Sequence, residues 1–372
     1  MANAAILIVA LSGRALAASA FRGGYRPLVA DMFGDEDTLR VACAHVRLAG
    51  DLASGIEEQA LIPALETLGR GEEPIGVVCG TGFEDRTPLL RCLAERWRLL
   101  GNAAEAVARA KDPEFLSSLC AGYGIPFPEV SPSRPTNPGE WLIKRTGGAG
   151  GTHVKQLSEA YSVGSRVYYQ RKVSGAPVAA AFLADGRRAT ILGYSAQWPS
   201  PTPGQPYRYG GAVRPAQLVA RIEDALAAVV YRITAALSLI GLNSMDFLVE
   251  GERFWLLDVN PRPGATLDIF ETEGDSLFAR HVAACMGRPV SGPRYPRGAT
   301  AAEIVYADDD IRSVPVLEWP DWTTDRPAAG TAIRAGEPVC TVHARSWATA
   351  DARALAERRR ETVLSWTRAR NL

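Results

Sequence analysis

The sequence lacks several features that would assign it to common classes of protein. It has 41 Lys and Arg residues against 41 Asp and Glu residues, so its formal net charge is zero. Proteins that bind the phosphate backbone of nucleic acids usually present a net basic surface, and a nucleic-acid partner is therefore not expected. No apolar run approaches the roughly twenty residues that a membrane-spanning helix needs. The 47% of hydrophobic and 22% of charged residues are typical of a soluble globular enzyme.

The six cysteines are scattered and include no CxxC pair. This argues against a zinc site and against a redox motif, and we expect reduced thiols in the core. The apolar N-terminus has no cationic stretch before it and is interrupted at Ser12-Gly13-Arg14. A strand followed by a helix is therefore favoured over a secretory signal, and we expect a cytoplasmic protein.

At 372 residues the chain is long enough for two or three compact units. Its first hundred residues predict strand, turn, helix and strand in succession, which indicates a parallel βαβ unit. Asp31 ends the second strand and is expected to face the ligand crevice of such a sheet. No GxGxxG motif is present, so a dinucleotide site is not predicted. The predicted elements are the strand Ala4–Leu11, the helix Arg14–Phe21 and the strands Pro27–Phe33 and Ile75–Cys79.

Apolar periodicity predicts the elements of the middle and the end of the chain. A long helix, Ala216–Ile240, is expected to stop at Gly241, and the last residues predict a hairpin at Thr331–Ala344 followed by a helix from Thr349. The other predicted elements are helical structure from Asn102 to Tyr123, the strands Trp141–Lys144 and Val167–Val173, an antiparallel pair at Val178–Leu183 and Thr190–Ala196, and a helix at Leu277–Met286.

Residues 243–260 predict a β-hairpin, because two segments of alternating pattern are joined by a short polar turn. The strands are Asn243–Val249 and Phe254–Asn260. A loop of three residues, from Gly251 to Arg253, would place residue 246 directly opposite residue 258.

The polar residues of this hairpin suggest a metal site. Asp258 and Asn260 share a face because side chains alternate along a strand, and the three-residue loop would add Asp246 to that face. Like charges directly opposite one another destabilise a sheet, and a divalent cation would remove that repulsion. Mg²⁺ is usually held by one or two carboxylates together with substrate phosphates. The alternative is a solvated hairpin whose acids face water.

A glycine-rich loop, Gly147-Gly148-Ala149-Gly150-Gly151, follows the predicted strand that ends at Lys144. Glycines allow backbone N–H groups to approach phosphate oxygens where side chains would obstruct them. No Lys-Ser or Lys-Thr follows, so this is not a Walker A loop. A flexible surface loop is the alternative, but Lys144 and the earlier Lys111 favour a role in phosphate binding.

The order of these elements resembles that of the ATP-grasp ligases, in particular the branch of carboxylate-amine ligases and carboligases related to biotin carboxylase. The shared order is a lysine, a strand lysine, a Gly-rich loop, a strand containing Gln170, a long helix and an acid-x-Asn-Pro-Arg motif, and it covers residues 105–290. The segment Phe33-Gly34-Asp35-Glu36-Asp37 is similar to the preceding domain of that branch.

The resemblance implies an α/β (α+β) protein with the ATP-grasp fold. It implies an N-terminal doubly wound βαβ domain at residues 1–104 and an ATP-grasp domain, with two α+β subdomains clasping ATP, at residues 105–292. A small C-terminal domain would occupy residues 293–372.

The same resemblance implies ATP and Mg²⁺ as cofactors, with Mn²⁺ as an alternative ion. Lys111 and Lys144 would contact the α- and β-phosphates or the adenine edge, and the strand from Gln170 to Val173 would form the adenine hinge. The loop residues that would fold over the phosphates are Gly147, Gly148, Gly150, Gly151, Thr152 and His153. Here Arg171 stands where the family usually has a glutamate, so that contact to adenine or ribose is in doubt.

The resemblance also gives roles to the polar residues of the hairpin. Asp246, Asp258 and Asn260 would hold one or two Mg²⁺ ions that bridge the phosphates. Arg262 would be the catalytic residue that stabilises the charge of an acyl-phosphate. Both metal-binding acids are aspartates where glutamate is common, so that the ion would sit nearer the strands or keep an extra water molecule.

The activity implied is an ATP-dependent, ADP-forming ligation of a carboxylate to an amine through an acyl-phosphate. The partners would be small molecules, an amino acid or a small amine in the biosynthesis of a cofactor, and a homodimer is compatible with the family. Arg14, Arg208 and Arg214 are candidates for binding an anionic substrate carboxylate. Two alternatives remain open, which are a biotin-carboxylase-like carboxylase and a nucleotide-binding subunit without turnover.

Overall fold

The computed structural model describes residues 3–158, 166–272, 274–292, 295 and 297–370, and within these residues it has a mixed α/β architecture. The predicted parallel βαβ start is confirmed, because β1 pairs in parallel with β2 and with β6 in a four-stranded sheet of order β3-β2-β1-β6. The elements of this first part are β1 (Ala5–Val9), α1 (Arg14–Arg22), β2 (Arg26–Asp31), α2 (Glu36–Val41), β3 (Ala44–Arg47), β4 (Gly50–Asp51), β5 (Gly55–Ile56), α3 (Glu58–Gly69), β6 (Val77–Cys79) and α4 (Thr87–Arg96).

The central strand β1 is buried on both faces, which explains its uninterrupted apolar sequence. Ile6 and Ile8 pack into one apolar cluster, and Leu7 and Val9 pack into another on the opposite face. The sheet is therefore covered on both sides, and its polar functional groups lie at the carboxyl ends of the strands.

The single helical stretch predicted from Asn102 to Tyr123 is two helices, α5 (Ala104–Ala110) and α6 (Pro113–Tyr123). The break has a local cause, because Asp112 caps α6 by accepting hydrogen bonds from the N–H groups of Glu114 and Phe115, each at 3.0 Å. Pro113 occupies the first helical turn, where its missing N–H costs nothing. Lys111 consequently lies at the end of α5, where its side chain turns into the protein.

A second, four-stranded sheet follows, with the order β7-β10-β8-β9. Its register sets Lys144 opposite Tyr168 and Leu142 opposite Gln170. Its strands are β7 (Val130–Ser131), β8 (Trp141–Arg145), β9 (Val154–Gln156) and β10 (Val167–Arg171).

The largest sheet has eight strands in the order β15-β14-β11-β12-β13-β16-β18-β17. The predicted antiparallel pair is confirmed as β11 and β12. The strands of this sheet are β11 (Ala176–Asp185), β12 (Ala189–Pro199), β13 (Tyr209–Arg214), β14 (Ile240–Glu250), β15 (Arg253–Asn260), β16 (Ala299–Tyr306), β17 (Thr323–Thr324) and β18 (Pro338–Ser346). The remaining helices are α7 (Ala220–Leu237), α8 (Leu267–Phe270), α9 (Leu277–Cys285) and α10 (Thr349–Arg370).

Two predictions about helix ends and hairpins were wrong. Helix α7 ends at Leu237 and is followed by Ser238 in a left-handed conformation with φ of 52°, whereas Gly241 lies inside β14. The predicted hairpin at Thr331–Ala344 does not form, because β18 pairs with β16 and β17 instead. These partners come from distant parts of the sequence, so local turn residues did not reveal them.

Strands from the last eighty residues thus continue the sheet built by the middle of the chain, since β13 pairs with β16. The domain boundaries at residues 104 and 292 remain predictions. Across the part of the chain that the structure describes, no helix is both long and apolar enough to cross a membrane.

Candidate functional site

The hairpin of β14 and β15 places two carboxylates face to face, although not by the loop that the sequence suggested. Glu250 pairs with Arg253, so the turn contains two residues rather than three. A β-bulge after Asp246 then restores the register, because Phe247 pairs with Leu256 while Asp246 pairs with Asp258. The predicted juxtaposition of the two aspartates is therefore correct, but its cause is an extra residue in β15.

Lys111 and Asn260 link these acids into one polar network. The Lys111 ammonium donates to Asp258 Oδ2 at 2.7 Å and to Asn260 Oδ1 at 3.0 Å. The amide nitrogen of Asn260 donates to Asp246 Oδ2 at 2.8 Å. Lys111 is only 7% exposed, so its charge acts on the aspartates with little screening by water.

The electrostatics of this network are suited to a cation. Burial and the neighbouring Asp258 carboxylate raise the pKa of Asp246 to about 6. The described residues contain no group of three or more His, Cys, Asp or Glu side chains that could hold a metal ion. Two carboxylates with one amide oxygen fit the way Mg²⁺ binds when substrate phosphates and water complete its shell. The predicted role of Asp246, Asp258 and Asn260 therefore remains a chemically reasonable prediction.

On the second sheet, Lys144 and Gln170 are buried and bonded to each other. Lys144 Nζ donates to Gln170 Oε1 at 2.5 Å. Burial lowers the pKa of Lys144 to about 8, and the positive charge of Lys111 adds to this effect. The Gln170 amide nitrogen is buried with no hydrogen-bond partner among the described residues. A buried donor of this kind usually has a partner, and the edge of a bound base would supply one.

The glycine-rich loop is tightly packed against the protein, which the sequence did not indicate. A Cβ on Gly148 would come within 2.3 Å of the His153 ring, and a Cβ on Gly151 would come within 1.9 Å of the Tyr207 carbonyl oxygen. The Gly150 carbonyl accepts a hydrogen bond from the Tyr209 N–H at 2.9 Å. Gly148 and Gly151 are thus required for packing, in addition to any contact with phosphates.

His153 lies against this loop and is neutral at physiological pH. Its Nδ1 lies 3.3 Å from the Ala149 carbonyl oxygen. Burial and the charge of Lys144 lower the pKa of His153 to about 4. The imidazole is therefore neutral when no negatively charged ligand lies beside it.

The two remaining nucleotide-binding candidates occupy less constrained positions. Thr152 is half-buried in the turn before β9. Val173 is also half-buried, but it lies beyond the end of β10. Arg171 is exposed and pairs with Glu129 and Glu140 at 3.4 and 3.0 Å, so its side chain does not replace the expected hinge glutamate.

Arg262 is held by a buried carboxylate that sequence analysis missed. Its Nε donates to Glu84, which is 4% exposed and also accepts hydrogen bonds from the N–H groups of Gly82 and Phe83. Although burial raises the pKa of Glu84, the charges of Arg262 and Lys111 outweigh it and lower the pKa to about 2. Glu84 is therefore ionised and fixes the position of Arg262.

The segment that carries Arg262 is also held by Asn102. The side-chain amide of Asn102 donates to Asn243 Oδ1 at 2.7 Å and to the Pro261 carbonyl at 2.8 Å. Its own oxygen accepts from the Ile240 N–H at 2.8 Å. Neither Asn102 nor Glu84 belongs to a recognisable sequence motif. The only sequence signal for either residue is its position after a short loop.

The three arginines predicted to bind a substrate carboxylate are engaged within the protein. Arg14 makes a two-pronged ion pair with Asp268 and contacts Asp325 at 3.0 Å. Arg208 stacks on Tyr306, with 3.6 Å between its guanidinium carbon and the ring centre. These guanidiniums already have partners within the protein, and their role in binding a substrate carboxylate stays a prediction.

Arg214 is likewise occupied, because its Nε donates to the Ile269 carbonyl and its guanidinium lies 4.3 Å from the Tyr295 ring centre. Asp31, predicted to face a ligand crevice, accepts hydrogen bonds from the N–H groups of Gly13 and Gly34 at 2.8 and 2.9 Å. Asp31 is fully buried and holds these turns together.

Comparison with known families identifies the middle of the chain. Residues 115–266 match the family described as ATP-grasp domain. A curated relative, the formate-dependent phosphoribosylglycinamide formyltransferase of Acinetobacter baumannii, is 30% identical over 84 residues, which cover 22% of this chain and 20% of the relative. The chain thus spans about a fifth of the length of the curated relatives it matches.

Two solved structures share the fold over nearly the whole chain. The biotin carboxylase–βγ-ATP complex from Campylobacter jejuni has a TM-score of 0.71 and 13% identity, covering 94% of this chain and 89% of that one. The N5-carboxyaminoimidazole ribonucleotide synthetase from Thermotoga maritima has a TM-score of 0.68 and 14% identity, covering 96% and 98%. The predicted ATP-grasp fold is confirmed.

Proposed function

We propose that this chain, whose residues 115–266 match the ATP-grasp domain family, is an ATP-dependent ligase that joins a carboxylate to an amine. ADP and phosphate would be the other products. Its substrates would be small molecules, an amino acid or a small amine, in the assembly of a cofactor.

The reaction proceeds in two balanced steps. A carboxylate oxygen attacks the γ-phosphorus of ATP, the bond from that phosphorus to the β,γ-bridging oxygen breaks, and ADP leaves. The amine nitrogen then attacks the acyl carbon of the resulting acyl-phosphate. The bond from carbon to the phosphate oxygen breaks, phosphate leaves, and the nitrogen loses a proton as the amide forms.

The observation that carries this proposal is the facing pair Asp246 and Asp258 beside Asn260, at the end of a strand that continues into Arg262. Mg²⁺ held by such a set would neutralise charge on the phosphates. Arg262, fixed by Glu84, is suited to stabilise the negative charge that develops on a transferred phosphoryl group.

The nucleotide-binding residues have matching properties. Lys111 and Lys144 are both buried. Lys111 donates a hydrogen bond to the hairpin acid Asp258, and Lys144 donates one to Gln170. The unpartnered amide of Gln170 is available to a base edge, and the packed glycine loop lies on the same sheet as Lys144. No protein nucleophile is needed for this chemistry, since the substrate carboxylate attacks the phosphate directly.

The test is ADP release by the purified chain with Mg²⁺ and a panel of amino acids, other carboxylates and amines. ADP release that requires both a carboxylate and an amine would support the ligase. ADP release that requires only bicarbonate would replace it by a carboxylase. Tight ATP binding without ADP release from any combination would contradict both enzymes and would favour the nucleotide-binding subunit.

A further inference from the structure

A group of carboxylates lies beside the first sheet, and the reaction steps above do not use it. It consists of Asp37, Asp268 and Asp325 around the guanidinium of Arg14, and we name these four side chains the acidic basin. Arg14 is bonded to Asp268 and Asp325 and lies 3.9 Å from Asp37. Three carboxylates around one guanidinium leave an excess of negative charge that favours a cation.

Each carboxylate of the acidic basin already has a partner in the protein. Asp268 and Asp325 pair with Arg14. Asp37 accepts hydrogen bonds from the backbone N–H groups of Asp325 and Arg326 at 2.9 and 3.0 Å, which ties α2 to the loop after β17. The basin is therefore a fixed structure and does not depend on a ligand to form.

Asp35 differs from these acids because its carboxyl group has no partner. It is 5% exposed and stands immediately before α2, yet its side chain does not cap that helix. No other hydrogen bond to this carboxyl is found within the described residues. The N–H of Glu36, the next residue, donates to the Arg326 carbonyl at 2.8 Å, which places Asp35 beside the loop that carries Asp325. Burial raises the pKa of Asp35 to about 8, and the charges of Asp325, Asp31 and Asp37 add to this effect. The Asp35 carboxyl is thus free to accept a hydrogen bond from a ligand.

The acidic basin is accessible and borders the proposed reaction site. The side chains of Asp268 and Asp325 are 13% and 24% exposed, so solvent reaches them. Burial raises the pKa of Tyr209, and both Asp246 of the hairpin and Asp268 of the basin add to that effect. Asp268 follows Arg262 by only six residues, and the Leu267 N–H donates to the Gly264 carbonyl at 3.2 Å in the short segment that joins them.

We propose that the acidic basin, completed by Asp35, binds a substituted ammonium group of a substrate of this enzyme. The inference rests on the proposed ligase function and specifies which chemistry its substrate pocket recognises. An ammonium offers three N–H donors and a positive charge. The Asp35 carboxyl can accept such a hydrogen bond, because no donor among the described residues is bonded to it. The ammonium belongs either to the amine acceptor or to the α-position of an amino acid whose carboxylate is activated. An acceptor ammonium must lose a proton, to water or to a basin carboxylate, before its nitrogen can attack the acyl-phosphate.

The first test measures binding without ATP above pH 8, where the Asp35 carboxyl, whose pKa burial raises to about 8, is ionised. Butane-1,4-diamine and butane-1,4-diol, at constant ionic strength, are compared as ligands that shift the Tm of the full chain. Asp35→Asn is the test variant, because asparagine is as acceptable as aspartate before a helix. Asp321→Asn is the matched control at an exposed aspartate outside the basin.

The diamine should raise the Tm of the wild type and of Asp321→Asn, whereas the diol should not. Asp35→Asn should need about ten- to a hundredfold more diamine for the same shift, as expected for loss of a charged hydrogen-bond partner. Equal responses of Asp35→Asn and the wild type, an equal effect of the diol, or no shift in the wild type would overturn the proposal.

The second test separates this inference from the proposed function. If the chain releases ADP, Asp35→Asn should raise the KM of the ammonium-bearing substrate about tenfold or more and leave the KM of ATP unchanged. A change confined to the amine assigns the basin to the acceptor, and a change confined to an amino acid assigns it to the donor. A change confined to ATP would overturn the proposal. Diamine binding that depends on Asp35, without ADP release from any substrate, would contradict the ligase but retain the ammonium site.

Discussion

Replacing Glu84 by glutamine should both destabilise the fold and disturb Arg262. The carboxylate of Glu84 is buried and accepts hydrogen bonds from Arg262 and from two backbone N–H groups. Glutamine has nearly the same shape but no charge, so Glu84→Gln leaves the Arg262 guanidinium without its ionised partner. Removing one member of a buried ion pair is much more destabilising than removing a surface pair.

The magnitude follows from the pKa of Glu84. Burial raises this pKa, but Arg262 and Lys111 lower it to about 2, from the ordinary value of 4.5. That difference corresponds to about 3 kcal/mol in favour of the ionised folded state. Because the folded pKa lies below the unfolded one, this stability is present above pH 4.5 and is lost as the pH falls toward 2.

Urea denaturation of the wild type and of Glu84→Gln, at pH 7 and at acidic pH, measures this effect. The variant should lose about 3 kcal/mol at pH 7, and the difference should fall to about half or less near pH 3. Its rate of ADP release should also fall, since Arg262 is no longer fixed. Glu105→Gln is the control, because Glu105 forms an exposed pair with Arg91 at 2.8 Å and should change the urea midpoint little. The reasoning is refuted if both variants have the same midpoint, or if the loss in Glu84→Gln does not depend on pH.

Three further substitutions test the nucleotide and metal sites. Asp258→Asn should reduce ADP release at least about a hundredfold, since metal stabilisation of phosphoryl transfer is worth several kcal/mol. The circular dichroism spectrum should stay unchanged. Undiminished activity would contradict the metal assignment. Burial lowers the pKa of Lys144 to about 8, so the affinity of the wild type for ATP should weaken as the pH rises through 8. Lys144→Arg stays charged and should bind ATP equally at pH 7 and 9. If calorimetric titration gives parallel pH curves for the two proteins, the result would argue against a phosphate contact. Gly148→Ala should raise the KM of ATP, because the added Cβ would overlap the His153 ring. Gly139→Ala is the control and should not raise it, because a Cβ at residue 139 meets no atom within 4 Å. Equal KM values for the two variants would show that the loop does not need this packing.

The sequence predicted those parts of the site that depend on local pattern. Alternation along residues 243–260, together with an assumed three-residue loop, predicted that Asp246 faces Asp258. The structure reaches the same pairing through a two-residue turn and a bulge, which the sequence did not reveal. Bulges leave no reliable signature in a single sequence, because the extra residue can be of almost any type.

The partners of the predicted residues could not be found in this way. Glu84 pairs with Arg262 across 178 positions, and Lys111 reaches Asp258 across 147. Arg14 was predicted to bind a substrate carboxylate, but its two partners in the structure are carboxylates that lie more than 250 positions away. A charged residue therefore suggests a site, whereas the role of that residue depends on partners that only the fold brings close.

The same limit applies to the architecture. The parallel pairing of β1 with β2 was predictable because a short connection joins these two strands. The continuation of the eight-stranded sheet from β13 into β16 and β18 was not, since these strands pair over long stretches of sequence. An expected local hairpin at the end of the chain was accordingly wrong.

The central claim is that a substrate carboxylate is activated as an acyl-phosphate, and isotope transfer tests it most directly. The carboxylate identified by ADP release is labelled with ¹⁸O in both oxygens and incubated with the enzyme, ATP, Mg²⁺ and the amine. Mass spectrometry of the released phosphate should find one ¹⁸O atom for each amide formed, because the oxygen that attacked the γ-phosphorus leaves with the phosphate. Amide formation accompanied by unlabelled phosphate would contradict the account.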